Sequence, residues 1–256
     1  MEHAGILWDE GIGSPVTITA QAFAFRPDAT IQLCHVGAER EPVLIVDRAT
    51  GHTDALVDFA AQRSRFEPAA ALGSFYPGLL GTAPTAYVDA MVRFVLPLIT
   101  AYFGADPIRP ARARGNFSLV TTPPQALSPD QRVPHVDAAD RLQFATVHFL
   151  SCDNADGTGF FRHRATGFET LDADRLPCYR AVIDNQLKTL SDEGYPDAAH
   201  SLFEQIGAVE ARPDRLILYR AALFHSGLIR TLPADAADPM RGRLTGNLFL
   251  QCRMIA

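Results

Sequence analysis

Apolar and polar residues alternate in short runs early in the chain, shift to spacings of three and four, and then alternate again. The early runs are 16–25 (VTITAQAFAF), 30–37 (TIQLCHVG) and 43–49 (VLIVDRA). They are rich in β-branched side chains, bounded by Pro and Gly, and predict three strands. Over 54–66 (DALVDFAAQRSRF), Leu56, Val57, Ala60 and Ala61 share one helical face, with Thr53 or Asp54 as the expected N-cap. Residues 75–84 (FYPGLLGTAP) read as a turn-rich loop. A second helix is predicted over 85–103, stacking Tyr87, Val88, Met91, Phe94, Val95, Leu98, Ile99 and Tyr102, with Pro97 as a candidate kink. After a Pro/Arg-rich connector at 105–114, strands are expected at 115–122, 142–150, 157–164, 215–229 and 242–255. A helical insert, over 176–194 and 197–210, separates the third of these from the fourth. The pattern predicts an α+β, mainly β domain spanning 1–256. Helical support at 54–103 packs on a sandwich or jelly-roll core at 115–256, which carries the insert at 176–210.

Composition narrows the partners. With 256 residues, 47 % apolar and 20 % charged, the chain is ordinary globular protein and long enough to bury a large core. Net charge is −6, and Lys and Arg do not cluster along a helix face, so a nucleic-acid partner is not expected. The longest apolar run, FVLPLITAYF (94–103), is too short for a bilayer, and MEHAGILWDEG lacks the basic flank and apolar centre of a signal peptide. Cys34, Cys152, Cys178 and Cys252 form no CxxC pair. The expectation is a cytoplasmic protein with reduced thiols that acts on a small molecule, and a homodimer through the N-terminal strands is compatible with it.

Within this frame, RVPHVDAADRLQFATVHFL (132–150) places His135 two residues from Asp137, just ahead of an alternating run. Eight histidines and twenty aspartates make about 0.6 His-x-Asp triplets expected by chance. The chain holds two. His52-Thr53-Asp54 opens a predicted helix, where the carboxylate is explained as a cap or first-turn acid. His135-x-Asp137 instead precedes a predicted core strand. On extended backbone both side chains point to one face and can converge on an ion. His225, in LILYRAALFHSGLI, is the candidate third ligand, though a lone His in an apolar run is usually a core residue. Two histidines and a carboxylate form the triad that leaves three positions open on non-haem Fe(II). GRLTGNLFLQ (242–251) adds Arg243 and Thr245, spaced to share a strand face, where the guanidinium can take a carboxylate bidentately and the hydroxyl can donate beside it.

The ordered set His-x-Asp, His and Arg-x-Thr resembles the 2-oxoglutarate- and Fe(II)-dependent dioxygenases. That superfamily has a double-stranded β-helix core. More narrowly, VLIVDRATGHTDALVDFA, FYPG (75–78), PHVD, GTGFFRHR and LFHSG with GRLTGNLF are similar to an uncharacterised bacterial subgroup of that superfamily, from about residue 43 onward. The resemblance implies His135, Asp137 and His225 as iron ligands, Arg243 as anchor for the far carboxylate of 2-oxoglutarate, and Thr245 as its partner. It also implies O2 as oxidant and C–H hydroxylation with release of succinate and CO2. A carboxylate at 137 speaks for hydroxylation, desaturation or cyclisation over halogenation. The basic residue stands 18 positions after His225, farther than is common in the superfamily, so Arg230 and Arg241 compete with Arg243.

Other residues stay open on sequence grounds. His148 either contacts the co-substrate or is a bonded core histidine. Arg162 and Arg164 either meet an anionic substrate or form a solvated face. Tyr76 is a lid residue or turn packing. A zinc hydrolase using the same triad and a non-catalytic jelly-roll binding module are the rival functions.

Overall fold

A computed structural model describes residues 23–104, 107–151 and 157–255. Most of the expected 16–25 strand, and Cys152, lie outside the described residues. The elements run β1 (Thr30–Val36), β2 (Glu41–Asp47), α1 (Thr53–Arg63), β3 (Phe66–Pro68), β4 (Gly78–Thr82), α2 (Thr85–Tyr102), β5 (Ile108–Val120), β6 (Gln143–Ser151), β7 (Gly157–His163), α3 (Arg175–Gln186), β8 (Phe203–Glu210), β9 (Arg215–Arg220), β10 (His225–Leu228) and β11 (Leu244–Met254). Eight strands form an antiparallel sheet in the order β1-β2-β9-β6-β11-β5-β4-β3, and three form a second in the order β10-β7-β8. Among the described residues no helix is long and apolar enough to cross a membrane.

Alternation along the central strands sorts side chains into layers. One face of the large sheet buries Phe117, Leu119, Phe144, Leu216, Leu218, Leu248 and Leu250 beneath the helices. Helix α2 meets it with Tyr87, Met91, Val95 and Ile99, four apart and wholly buried. Pro97 sits on the exposed side of α2, so its missing N–H costs one helical bond and no core contact. The opposite face turns Ala145, Phe149, Ile217 and Tyr219 toward Phe160 of the small sheet. Helix α3 covers the outside of the small sheet, where Ile183 packs with Phe161, Phe203 and Phe224.

Several expectations are corrected. Residues 203–210, expected helical, form β8, because pairing with β7 along its whole length outweighs local preference and Gly207 weakens a helix. The 215–229 run is two strands in different sheets. The chain turns after Arg220 and crosses between layers, and both halves are apolar because both are buried. The 105–114 connector is largely the first half of β5, where Pro110 is tolerated beside a bulge opposite Gln251 and Cys252. The 75–84 loop contains β4, and the helical insert shrinks to α3 and a short 3-10 turn at 187–189. The N-cap of α1 is His52, without a side-chain cap bond, and Asp54 serves as a first-turn acid.

A buried polar network pins α2 to the sheet. Tyr87 Oη lies 2.8 Å from His148 Nδ1, and His148 Nε2 lies 3.0 Å from Asp214 Oδ1. Asp214 also accepts from the Thr50 hydroxyl and from the backbone N–H groups of Thr50 and Gly51. Gly246 completes the fit, since a Cβ there would stand 2.3 Å from Tyr87 Oη. Burial alone would raise the Asp214 pKa, but the bonds from His148, Thr50 and Gly51 overcome it and hold the group at about 2.

Two outcomes follow from this network. Tyr87→Phe strands the His148 Nδ1 in the core and is expected to cost about 1–3 kcal/mol, read as a lower denaturant midpoint. Asp214 is depressed below its ordinary 3.8, so its stabilisation is present above that pH and is lost as pH falls from there through about 2. Asp214→Asn is therefore expected to flatten the fall in stability over that window. Equal slopes for both proteins in denaturant titrations across it would contradict the assignment.

Candidate metal centre

The strand-like entry to β6 brings the His-x-Asp pair against β10. His135 and His225 exchange backbone hydrogen bonds of 3.0 and 2.9 Å, and Asp137 N–H donates to Ala221 O at 2.8 Å. Side chains at 135 and 137 thus share a face, and the turn after β9 presents His225 to them. His135 Nε2 is 3.7 Å from Asp137 Oδ1, and His225 Nε2 is 3.5 Å from Asp137 Oδ2. One ligand atom from each residue falls within 4.8 Å of the others.

The electrostatics suit a cation. His225 Nδ1–H donates to Leu223 O at 2.8 Å, which fixes the tautomer and leaves the Nε2 lone pair facing Asp137. Burial pushes the His225 pKa down to about 4. His135 moves the same way, by desolvation and then by its neighbour His225, although 56 % of its side chain is exposed. Two imidazoles neutral at pH 7 need no proton removed before binding a metal. Burial raises the Asp137 pKa, against the pull of His135 and Arg114. Asp137 Oδ2 is buried with no hydrogen-bond donor, an expensive state for a carboxylate that a bound cation would relieve. His52 and Asp54 take no part in this cluster.

A second set of orphaned atoms lies deeper between the sheets. Arg243 is 9 % exposed, stacks 5.3 Å over the Phe149 ring and gives Nη2 to Gly157 O, yet its Nε has no acceptor. The Tyr76 hydroxyl is also buried and unpartnered; burial raises its pKa, with Arg243 and Ser118 acting against the rise. Thr245 Oγ1 and Ser118 Oγ are 2.7 Å apart on neighbouring strands. Tyr219 joins the two regions. Its ring packs edge-on to His225 at 4.8 Å, and its buried phenol, already raised by desolvation, feels both Asp137 and Arg243.

The remaining candidates fall elsewhere. His148 is corrected: it lies on the helix side of β6, wholly buried with both ring nitrogens bonded, so it cannot face the space between the sheets. The Arg162 guanidinium is held by Glu169 and Glu204, which removes it as a free anion receptor. Arg164 stands in the exposed turn after β7. Arg241 pairs with Asp235 at the surface, and Arg230 is exposed. Sequence reasoning passed over Ser118, Arg114 and Tyr219. The alternation of LILYR would have placed Tyr219 inward once β9 was known to end at Arg220.

No curated protein matches the chain. HygX from Streptomyces hygroscopicus, solved with iron bound, is 13 % identical with a TM-score of 0.42, covering 82 % of this chain and 81 % of its own. The same protein has been solved with nickel and 2-oxoglutarate, at 12 % identity, a TM-score of 0.42 and 82 % coverage of each chain. An N-substituted L-amino acid dioxygenase from Burkholderia ambifaria, in complex with alpha-KG, is 12 % identical with a TM-score of 0.41, covering 86 % of this chain and 93 % of its own. The match that assigns a family runs over residues 27–250, and by it the chain belongs to the family of unknown function DUF6445.

Proposed function

We propose that the protein is a non-haem Fe(II)- and 2-oxoglutarate-dependent oxygenase that hydroxylates a C–H bond of a small metabolite or amino-acid-like substrate. The observation that carries this reading is the pairing of two unsatisfied sites on one inner face. A buried carboxylate oxygen in a His-Asp-His cluster has no hydrogen-bond donor, and the buried Arg243 Nε and Tyr76 hydroxyl have no hydrogen-bond partner. A ligand with a chelating end and a distant carboxylate satisfies both. The strand orders support reading the two sheets as the major and minor faces of a double-stranded β-helix, with β5, β11, β6 and β9 opposite β10, β7 and β8.

In this reading His135, Asp137 and His225 hold the iron, and Arg243, Tyr76 and Thr245 receive the far carboxylate of the keto acid. When bound, Fe(II) with 2-oxoglutarate and O2 supplies C–H oxidation, with succinate and CO2 released. The protein's own work is placement. Leu223 O fixes the His225 tautomer. The His135–His225 bridge sets the separation of the two imidazoles. Phe160 and Tyr219 pack edge to face in the buried cluster between the sheets, where they would limit the entry of water.

Anaerobic addition of Fe(II) and then 2-oxoglutarate is expected to produce a weak charge-transfer band in the visible range. His225→Ala should abolish it. Arg243→Gln should keep it while raising the 2-oxoglutarate concentration needed by roughly 10- to 100-fold, the worth of a charged hydrogen-bond pair. Metal-replete wild-type protein without the band would sink the proposal. Zinc in the triad would then point to hydrolysis.

A further inference from the structure

Beside the triad, the inner face of the large sheet carries two rows of paired residues that neither the metal nor the keto acid uses. In the first row Arg114 is opposite Phe249, Phe249 opposite Ala145, and Ala145 opposite Tyr219, whose ring touches His225. One pleat farther out, Arg112 is opposite Gln251 and Gln251 opposite Gln143. The Gln143 carbonyl accepts from Ala221 N–H, and Ala221 O accepts from Asp137 N–H, so this row runs by backbone bonds straight to a triad residue. Residues directly opposed across a sheet project to the same face. Arg112, Arg114, Gln143, Phe249 and Gln251 accordingly line one cleft of about 150 Å³. The Arg114 guanidinium lies 5.0 Å over the Phe249 ring and is close enough to Asp137 to act on its charge. Among the described residues, neither Arg112 nor Arg114 forms an ion pair, although nine other arginines do, among them Arg162, Arg175 and Arg215.

We propose that this cleft is the subsite for an oxyanion on the prime substrate, with Arg112 and Arg114 as receptor, Gln143 and Gln251 as hydrogen-bonding rim, and Phe249 as apolar floor. The proposal rests on the oxygenase reading, which makes the space next to the triad the place where a prime substrate must lie. It assigns the two cationic functions to opposite ends of the inner face: Arg243, deep, takes the keto acid, and Arg112 with Arg114, at the rim, takes the substrate. Two forked guanidiniums in one cleft suit a carboxylate or a phosphate ester, and the aromatic floor suits a flat or apolar body attached to it.

The test uses the full chain, free of metal and keto acid, so that it does not depend on iron chemistry. Benzoate, phenylphosphate and the uncharged isostere benzamide are titrated while the Nε–Hε resonances of Arg112 and Arg114 are followed by NMR. Saturable shifts of both resonances with an anion, and at least tenfold weaker binding of benzamide, are expected; the tighter of the two anions tells carboxylate from phosphate. Followed through the side-chain amide resonances of Gln143 and Gln251, which every variant retains, Arg112→Gln/Arg114→Gln should abolish the shifts caused by an anion and Arg112→Lys/Arg114→Lys should keep part of them, which separates loss of charge from misfolding. Benzamide binding as well as the anions, or anion binding that survives the double glutamine substitution, would overturn the subsite. In the iron-loaded glutamine variant, 2-oxoglutarate affinity is expected within twofold of wild type. A drop like that of Arg243→Gln would also overturn the assignment, by making the pair the keto-acid anchor. Absence of the visible band in wild-type protein would remove the oxygenase reading and leave the arginine titration to be judged by itself.

Discussion

Two backbone hydrogen bonds between His135 and His225 hold together residues ninety positions apart, and the rest of the site hangs on them. They join the entry of β6 to the start of β10 and set the two imidazoles with ring centroids 4.5 Å apart. The third contact of the same kind, Asp137 N–H to Ala221 O, is possible only because the chain turns after Arg220 and leaves the large sheet for the small one. A continuous strand through this region would have carried His225 away from the pair. The crossing between layers is thus the event that turns three separate side chains into a cluster.

The large sheet separates two kinds of buried polar chemistry. On its helix side, Tyr87, His148 and Asp214 form a network in which the hydroxyl, both ring nitrogens and the carboxylate find partners. On its inner side, Asp137 Oδ2, Arg243 Nε and the Tyr76 hydroxyl do not; Arg220 Nε is a fourth such atom, on the helix side, in a guanidinium whose Nη1 and Nη2 are bonded to Glu41 and Phe103 O. Buried groups that satisfy one another stabilise a fold, whereas buried groups left unsatisfied cost free energy that a ligand can recover. That contrast marks His148 as structural and supports the proposed role of His225 as a metal ligand, although both are histidines in apolar strands.

The inner face also places its charges in order. Arg243 lies deep behind Phe149, and Arg112 and Arg114 lie on the two rows that lead to the triad. Tyr219 stands between the ends, in contact with His225 and within reach of both Asp137 and Arg243. The arrangement is a consequence of β5, β6, β9 and β11 keeping register over the same rows, so that every second residue of each adds to one surface.

The sequence by itself determined the parts whose reasons are local. The four-residue spacing of Tyr87, Met91, Val95 and Ile99 made α2, the alternation of QFATVHFL made β6, and the His135-x-Asp137 spacing placed two polar side chains on one face of extended backbone. The tertiary structure alone decided the rest. That β8 is a strand depends on its pairing with β7, not on its own residues. That β9 and β10 part company depends on where a uniformly apolar run crosses from one layer to the other, and hydrophobicity cannot mark the crossing because both sides are buried. Which arginines face inward was equally out of reach. Arg162 had its carboxylates waiting from β8 and the turn after β7, while Arg112 and Arg114 had none, and ion pairing between distant segments leaves no period in the sequence.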